Sequence, residues 1–273
     1  MHRPRSLFPL APLAALALAA PAAGCQREAN PDLDARLDRI EKQLTDISQR
    51  LARSPAGGAG ARTSDRKRHD PAVTYAVPIE GSPARGPADA PVTVVEAFEF
   101  ACPACENARG VVKEIAEAYP KDVRVVYRTF LIHPQVATIP AYAACAANKQ
   151  GKWSDMAELI WDKGFKAGRN LSAENMEKLA QETGLDGAKF KTDMNSEACQ
   201  KQVRTEHSSL AGVGVGATPT IFVNGRALTR RSPDQFKALI DEELAKAKQR
   251  IAQGTKPADY YKEWVLEKGT KAL

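Results

Sequence analysis

The chain has 273 residues, 43% hydrophobic and 26% charged, enough for one sizeable core plus appendages. Its formal charge of +6 is too small an excess to point to a nucleic-acid partner. No stretch reaches the roughly twenty consecutive apolar residues that a permanent transmembrane helix needs.

At the N-terminus, His2, Arg3 and Arg5 precede an Ala- and Leu-rich run from Leu7 to Ala20 that stops at Pro21, the pattern of a secretory signal over 1–24. The signal ends on Ala22-Ala23-Gly24-Cys25, which resembles the lipobox of bacterial lipoproteins and implies acylation of Cys25 as a membrane anchor. An ordinary cut near Ala23 is the alternative, with Cys25 left as a spare thiol. By the same resemblance Gln26, which is not aspartate, favours the outer over the inner membrane. Export places the chain where disulfides persist. Loss of Arg3 and Arg5 with the signal brings the charge to about +4.

Between Pro31 and Arg53, Leu33, Leu37, Ile40, Leu44, Ile47 and Leu51 recur at alternating steps of four and three, heptad spacing for a short coiled-coil helix in a 25–53 segment. Leucine at a and mostly isoleucine at d favours trimers or tetramers, so a homo-oligomer through 33–51 is expected. The alternative is a single helix docked on its own domain. Residues 54–73, with Gly57-Gly58-Ala59-Gly60 and the basic Arg66-Lys67-Arg68-His69, have no hydrophobic period and read as a solvated tether spanning about 25 Å as a coil.

The catalytic domain is expected over 74–249. Val92-Thr93-Val94-Val95, continuing to Phe100, predicts a central strand, and the segment from Glu106 to Tyr119 carries the apolar face of a helix. A second β-rich run from Val123 to Phe130 completes a βαβ unit. Ala101-Cys102-Pro103-Ala104-Cys105 therefore sits at the strand-to-helix junction. There, unpaired backbone N–H groups and the helix dipole stabilise a thiolate, which makes Cys102 the nucleophile. Two intervening residues let Cys105 reach back, attack a mixed disulfide on Cys102 and release the substrate. Zinc would need two further ligands, yet there is no second CxxC and no HxxxH; c-type haem would need histidine where Glu106 stands. No metal or cofactor is implied.

Downstream, a loop from Gly212 runs through Ala217-Thr218-Pro219 into an alternating strand and an Asn224-Gly225 hairpin turn. FEFACPAC followed by GATPTIFVNG resembles the DsbA-like branch of the thioredoxin superfamily, over roughly 75–247. That resemblance implies an α/β thioredoxin fold with an inserted helical domain at about 138–212, and a cis bond before Pro219. It implies that the backbone of Thr218 pairs with the client peptide. It makes Glu96 a buried acid that moves protons during exchange, in line with the raised pKa of a buried carboxyl. Read from pattern alone, Glu96 is an edge-strand glutamate and Pro219 a strand start, while Glu99 falls on the solvent side. Cys145 and Cys199 lie within the insert, where some family members carry a second bridge; they are either a structural disulfide or two buried thiols. His133 and His207 are assigned no role. Residues 250–273, with Tyr260, Tyr261 and Trp264, form a helical extension that packs on the domain.

The function implied is a periplasmic oxidase that introduces disulfides into exported client proteins with cysteines, served by a membrane redox partner of DsbB-like or DsbD-like type. The stalk and tether resemble oligomeric isomerases and the trimeric copper-sensitivity suppressor type, so an isomerase or reductase is the alternative. A non-catalytic envelope lipoprotein that binds clients is the second.

Overall fold

The structure, a computed structural model, describes residues 31–53 and 69–272. Two units divide at about residue 64. In the first, helix α1 (Pro31–Arg53) carries Asp32 and Asp34 in its first turn, where acids suit the dipole. Its apolar stripe is open to solvent, with Leu37 47%, Ile40 51% and Leu44 61% exposed. Cys25, the signal and most of the tether lie outside the described residues, as do the side chains of Leu33, Ile47 and Leu51.

The second unit is built on a five-stranded sheet of β1 (Ala84–Arg85), β2 (Val92–Phe98), β3 (Val123–Thr129), β4 (Thr220–Val223) and β5 (Arg226–Ala227) in the order β1-β3-β2-β4-β5. β2 runs parallel to β3 and antiparallel to β4. Every residue of β2 is buried, because helices cover both faces of the strand. Alternation along β2 then sorts its side chains. Val92 and Val94 meet α2 (Pro103–Ala118) and α8 (Pro233–Ala252) through Val112, Ile115, Phe236 and Ile240. Val95 and Ala97 meet Leu210, Phe222, Tyr261 and Val265 on the other side. Glu96 therefore projects to the α2 side of the sheet.

Between β3 and β4 the chain forms a helical insert of α3 (Pro134–Asn148), α4 (Trp153–Leu159) continued by a π-helical turn (Ile160–Lys166), α5 (Ala173–Glu182), α6 (Gly187–Met194) and α7 (Glu197–Gly212). Ser172, Asp186 and Ser196 cap α5, α6 and α7 by accepting from the third residue on. Ser232 precedes α8 without a side-chain cap. Cys145 of α3 and Cys199 of α7 are joined by a disulfide closing a separation of 54 residues. Replacing both by alanine is expected to lower stability by about 4 kcal/mol, because the unfolded chain regains the entropy of that loop. The shift in urea midpoint under non-reducing conditions measures it.

Two local expectations are corrected. His69 is not a tether residue: its Nε2 lies 2.7 Å from the Val213 carbonyl and its ring packs edge-on to Tyr75 and Phe222. A lone histidine beside three basic residues carries no periodic signal that would pack it against the domain. The C-terminal segment does not form a regular α-helix but a 3-10 turn (Pro257–Asp259) and a π-helical turn (Tyr261–Leu266). It is tied down by Tyr261, whose hydroxyl donates to the Val77 carbonyl at 2.8 Å, and by a bridge between Tyr75 and Thr270.

Candidate active site

β2 stops at Phe98, and the four residues after it deliver Cys102 as the N-cap of α2, with Pro103 at the first helical position. No side chain caps the helix there. Both cysteines are reduced, Cys102 5% and Cys105 1% exposed. Backbone bonds from Cys105 and Glu106 to the Cys102 carbonyl, at 3.1 and 3.2 Å, set the turn that faces the two thiols toward each other. The pair belongs to the same apolar cluster as the insert, with Phe98, Phe100 and Trp161 packed around it.

The loop before β4 closes the site from the other side. The Thr218–Pro219 bond is cis, and the Thr218 carbonyl accepts from Cys102 Sγ at 3.5 Å. Arg231 donates to the Pro219 carbonyl at 3.0 Å and fixes the loop from the start of the α8 approach. The Asn224-Gly225 turn joins β4 to β5 with both residues at positive φ, as an Asn-Gly hairpin requires. Buried Asn224 also accepts from the Thr93 N–H at 2.8 Å and donates to the Pro91 carbonyl, so this turn locks β4 to β2.

Burial pushes the Cys105 thiol far up, opposed by a bond to the Glu99 backbone and reinforced by the neighbouring Cys102 and Glu96. Glu96 is 3% exposed, paired across the sheet with Tyr127 and Ile221. Burial pushes its carboxyl up to about 7, with Arg109 and then Arg231 pulling it back. A carboxyl poised near neutrality and electrostatically coupled to a protonated thiol is able to take and return that thiol's proton.

Glu99 departs from its expected solvent-side placement. It is 1% exposed, and one carboxylate oxygen accepts the backbone N–H groups of Ile132 and His133 at 2.7 and 3.0 Å while the other meets His133 Nδ1. The strand has already ended at Phe98, so its alternation no longer predicts where Glu99 points. Glu99 thereby ties the cysteine loop to the start of α3. Arg109 was also unmarked by the pattern; it is the fourth residue after Cys105 on α2, a spacing that shares a helix face. It pairs with Glu158 and Asp162 of the insert. His207 accepts from the Leu131 N–H and stacks on Phe130.

A sheet of this order with a dithiol at the start of α2 and a cis-proline loop beside it defines a thioredoxin-fold thiol-disulfide oxidoreductase, here of DsbA-like form. The family model Thioredoxin_4, described as Thioredoxin, matches residues 79–242, and the chain belongs to that family. Among solved structures, oxidised BdbD from Bacillus subtilis is 25% identical with a TM-score of 0.59, covering 63% of this chain and 98% of its own. A thioredoxin-like oxidoreductase from Silicibacter pomeroyi is 27% identical with a TM-score of 0.54, covering 60% of this chain and 92% of its own. The alpha-DsbA1 of Wolbachia pipientis, at 18% identity, a TM-score of 0.55 and coverage of 64% and 96%, shares the fold. A curated relative, the Na(+)/H(+) antiporter NhaA of Herminiimonas arsenicoxydans, is 35% identical over 144 residues, 53% of this chain. The chain spans 22% of that protein's length. Among the described residues no helix is long and apolar enough to cross a membrane.

Proposed function

We propose that the protein is an envelope-side dithiol oxidase that introduces disulfides into exported proteins. The observation that carries this reading is the Thr218 carbonyl standing 3.5 Å from Cys102 Sγ at the N-cap of α2. A client strand pairing with the Thr218 backbone has its cysteine delivered to Cys102. In the oxidised enzyme a client thiolate attacks Cys102, and Cys105 leaves as a thiolate and takes a proton from Glu96. A second client thiolate then attacks the client sulfur of the mixed disulfide, releasing Cys102 with both electrons. Pro219 shapes the groove, and the Cys145–Cys199 bridge stays outside the cycle as a staple of the insert. A membrane partner of DsbB-like or DsbD-like type resets the pair. Cys25, outside the described residues, anchors the chain by lipid in the periplasm, at the outer membrane.

The competing reading, an oligomeric isomerase or reductase, is favoured by the exposed Leu37, Ile40 and Leu44 of α1, a stripe suited to self-association through 33–51. Equilibration of Cys102 and Cys105 in a glutathione series, run beside refolding of a scrambled disulfide substrate, separates the two. A reduction potential well above that of the glutathione pool without isomerase activity is the expected result. Vigorous unscrambling that vanishes in Leu37→Asp/Leu44→Asp, together with a drop to monomer mass in sedimentation, overturns the oxidase in favour of the isomerase. Clients bound and protected equally well by Cys102→Ser overturn both in favour of a non-catalytic binding module.

A further inference from the structure

Glu99 stands between the two cysteines and the insert, and its backbone reaches both. Its carbonyl accepts from the Cys102 N–H at 3.3 Å. Its second backbone bond goes to Cys105 and favours the thiolate there, against burial, Cys102 and Glu96, which all oppose it. A bond that favours a thiolate is donated to the sulfur, and the only donor on a residue's backbone is its N–H. The Glu99 amide is therefore aimed at Cys105 Sγ. The same peptide unit is gripped from its other edge, where the Phe98 carbonyl accepts from the Phe130 N–H at 2.8 Å. A trans peptide points its C=O and N–H in opposite directions, so this grip turns the Glu99 N–H away from β3. The side chain supplies the remaining hold. One carboxylate oxygen accepts from the Ile132 and His133 N–H groups at 2.7 and 3.0 Å, and the other meets His133 Nδ1. Three donors on a buried carboxylate seat residue 99 on the start of α3, just beyond the last residue of β2.

We infer that the Glu99 side chain is a positioning group for Cys105: seated on the start of α3, it holds its own amide N–H against the Cys105 sulfur while that sulfur carries charge. The inference rests on Cys105 being the resolving thiol and adds the group that meets its charge. In the oxidising direction a client thiolate attacks Cys102, the client–Cys102 bond forms, the Cys102–Cys105 bond breaks, and Cys105 departs with the electron pair. In the resolving direction the Cys105 proton has passed to Glu96, the Cys105 thiolate attacks Cys102, and the client sulfur departs with the pair. Both directions share one transition state, in which Cys105 bears part of a negative charge. A donor already in place is worth far more to that charged sulfur than to a neutral one. At rest Cys105 is a buried thiol or half of a disulfide, both neutral, and the N–H adds little to either. Glu99 therefore sets the rate of exchange at Cys105 in both directions alike, and hardly moves the balance between dithiol and disulfide.

Glu99→Ala removes the seat, whereas Glu99→Gln keeps an oxygen for the Ile132 and His133 N–H groups. Stopped-flow kinetics on the full chain separate two steps, attack of reduced Cys102 on a disulfide-bonded peptide and resolution of the mixed disulfide by Cys105. Glutathione equilibration of the pair and thermal melts accompany them. Glu99→Ala is expected to slow resolution on the order of tenfold to a hundredfold, and to slow oxidation of a dithiol peptide by the same factor. The Cys102 attack and the glutathione equilibrium constant are expected to stay within about twofold. Glu99→Gln is expected to recover most of the lost rate. His133→Ala, which removes one of three donors, is expected to slow resolution about fivefold with the same selectivity, and carries the test if Glu99→Ala does not fold. Equal slowing of the Cys102 attack and of resolution reports a loosened cysteine loop and overturns the inference. An equilibrium constant that moves as far as the rate overturns it too. If Cys105→Ala traps the mixed disulfide but the folded Glu99 or His133 variants resolve it at the parent rate, Glu99 has no such role while Cys105 keeps its own. Failure of Cys105→Ala to trap it removes the resolving role and the inference with it.

Discussion

Cys105→Ala is expected to accumulate a covalent enzyme–client disulfide through Cys102, whereas Cys102→Ala is expected to abolish exchange by on the order of 10^3-fold or more. The asymmetry follows from placement. Cys102 is the N-cap of α2 and faces the Thr218 carbonyl, so it is the sulfur a client strand meets. Cys105 is 1% exposed, and burial holds its thiol protonated, so it reacts only with a partner already on Cys102. Removing the resolving thiol leaves the intermediate with no internal exit; removing the nucleophile prevents the intermediate from forming. Non-reducing gels with a cysteine-containing peptide read both outcomes at once. Equal trapping by the two variants would assign the nucleophile wrongly.

Glu96→Gln is expected to stabilise the fold at pH 8 while slowing the Cys105-dependent step by on the order of 10^2-fold. Burial raises the Glu96 carboxyl from 4.5 to about 7, so the folded state binds this proton more tightly than the unfolded chain does. The stabilisation from that proton is complete below pH 4.5 and is lost as pH rises through about 7. Above that, keeping the carboxylate buried costs up to about 3 kcal/mol, less whatever hydration it retains. Glutamine carries no such charge. The variant and the parent are therefore expected to melt alike near pH 4 and to diverge by several degrees at pH 8. Melting curves across that range check it, and a variant less stable than the parent at pH 8 would show that the carboxylate is already satisfied. Stability and rate moving in opposite directions marks a residue kept for chemistry rather than for packing.

Much of the site is legible in the residues alone because its signals are local. A β-branched run, a CxxC and an amphipathic segment in immediate succession place the cysteines on a helix start, and Asn224-Gly225 after an alternating run marks a hairpin. The resemblance of two separated motifs then pairs the cysteine turn with the Thr218-Pro219 loop before any coordinates are considered. Glu99 shows where this reading fails. Alternation put it toward solvent, but the strand had ended one residue earlier, and its partners Ile132 and His133 are more than thirty residues away. Arg109 shares a helix face with the cysteines, yet only the folded insert supplies Glu158 and Asp162 to hold it. His69 likewise reads as one more charge in a basic tether until Tyr75 and Phe222 close on it.

The sequence by itself determined the placement of the cysteine pair at a helix start, the fold class and an insert between two sheet strands, because each depends on neighbours close along the chain or on a motif. Tertiary structure alone decided that Glu99 is buried and that Arg109 and Arg231 are the charges acting on Glu96. Those properties depend on desolvation and on groups brought together from α2, the sheet and the insert, and no periodicity within one segment encodes them.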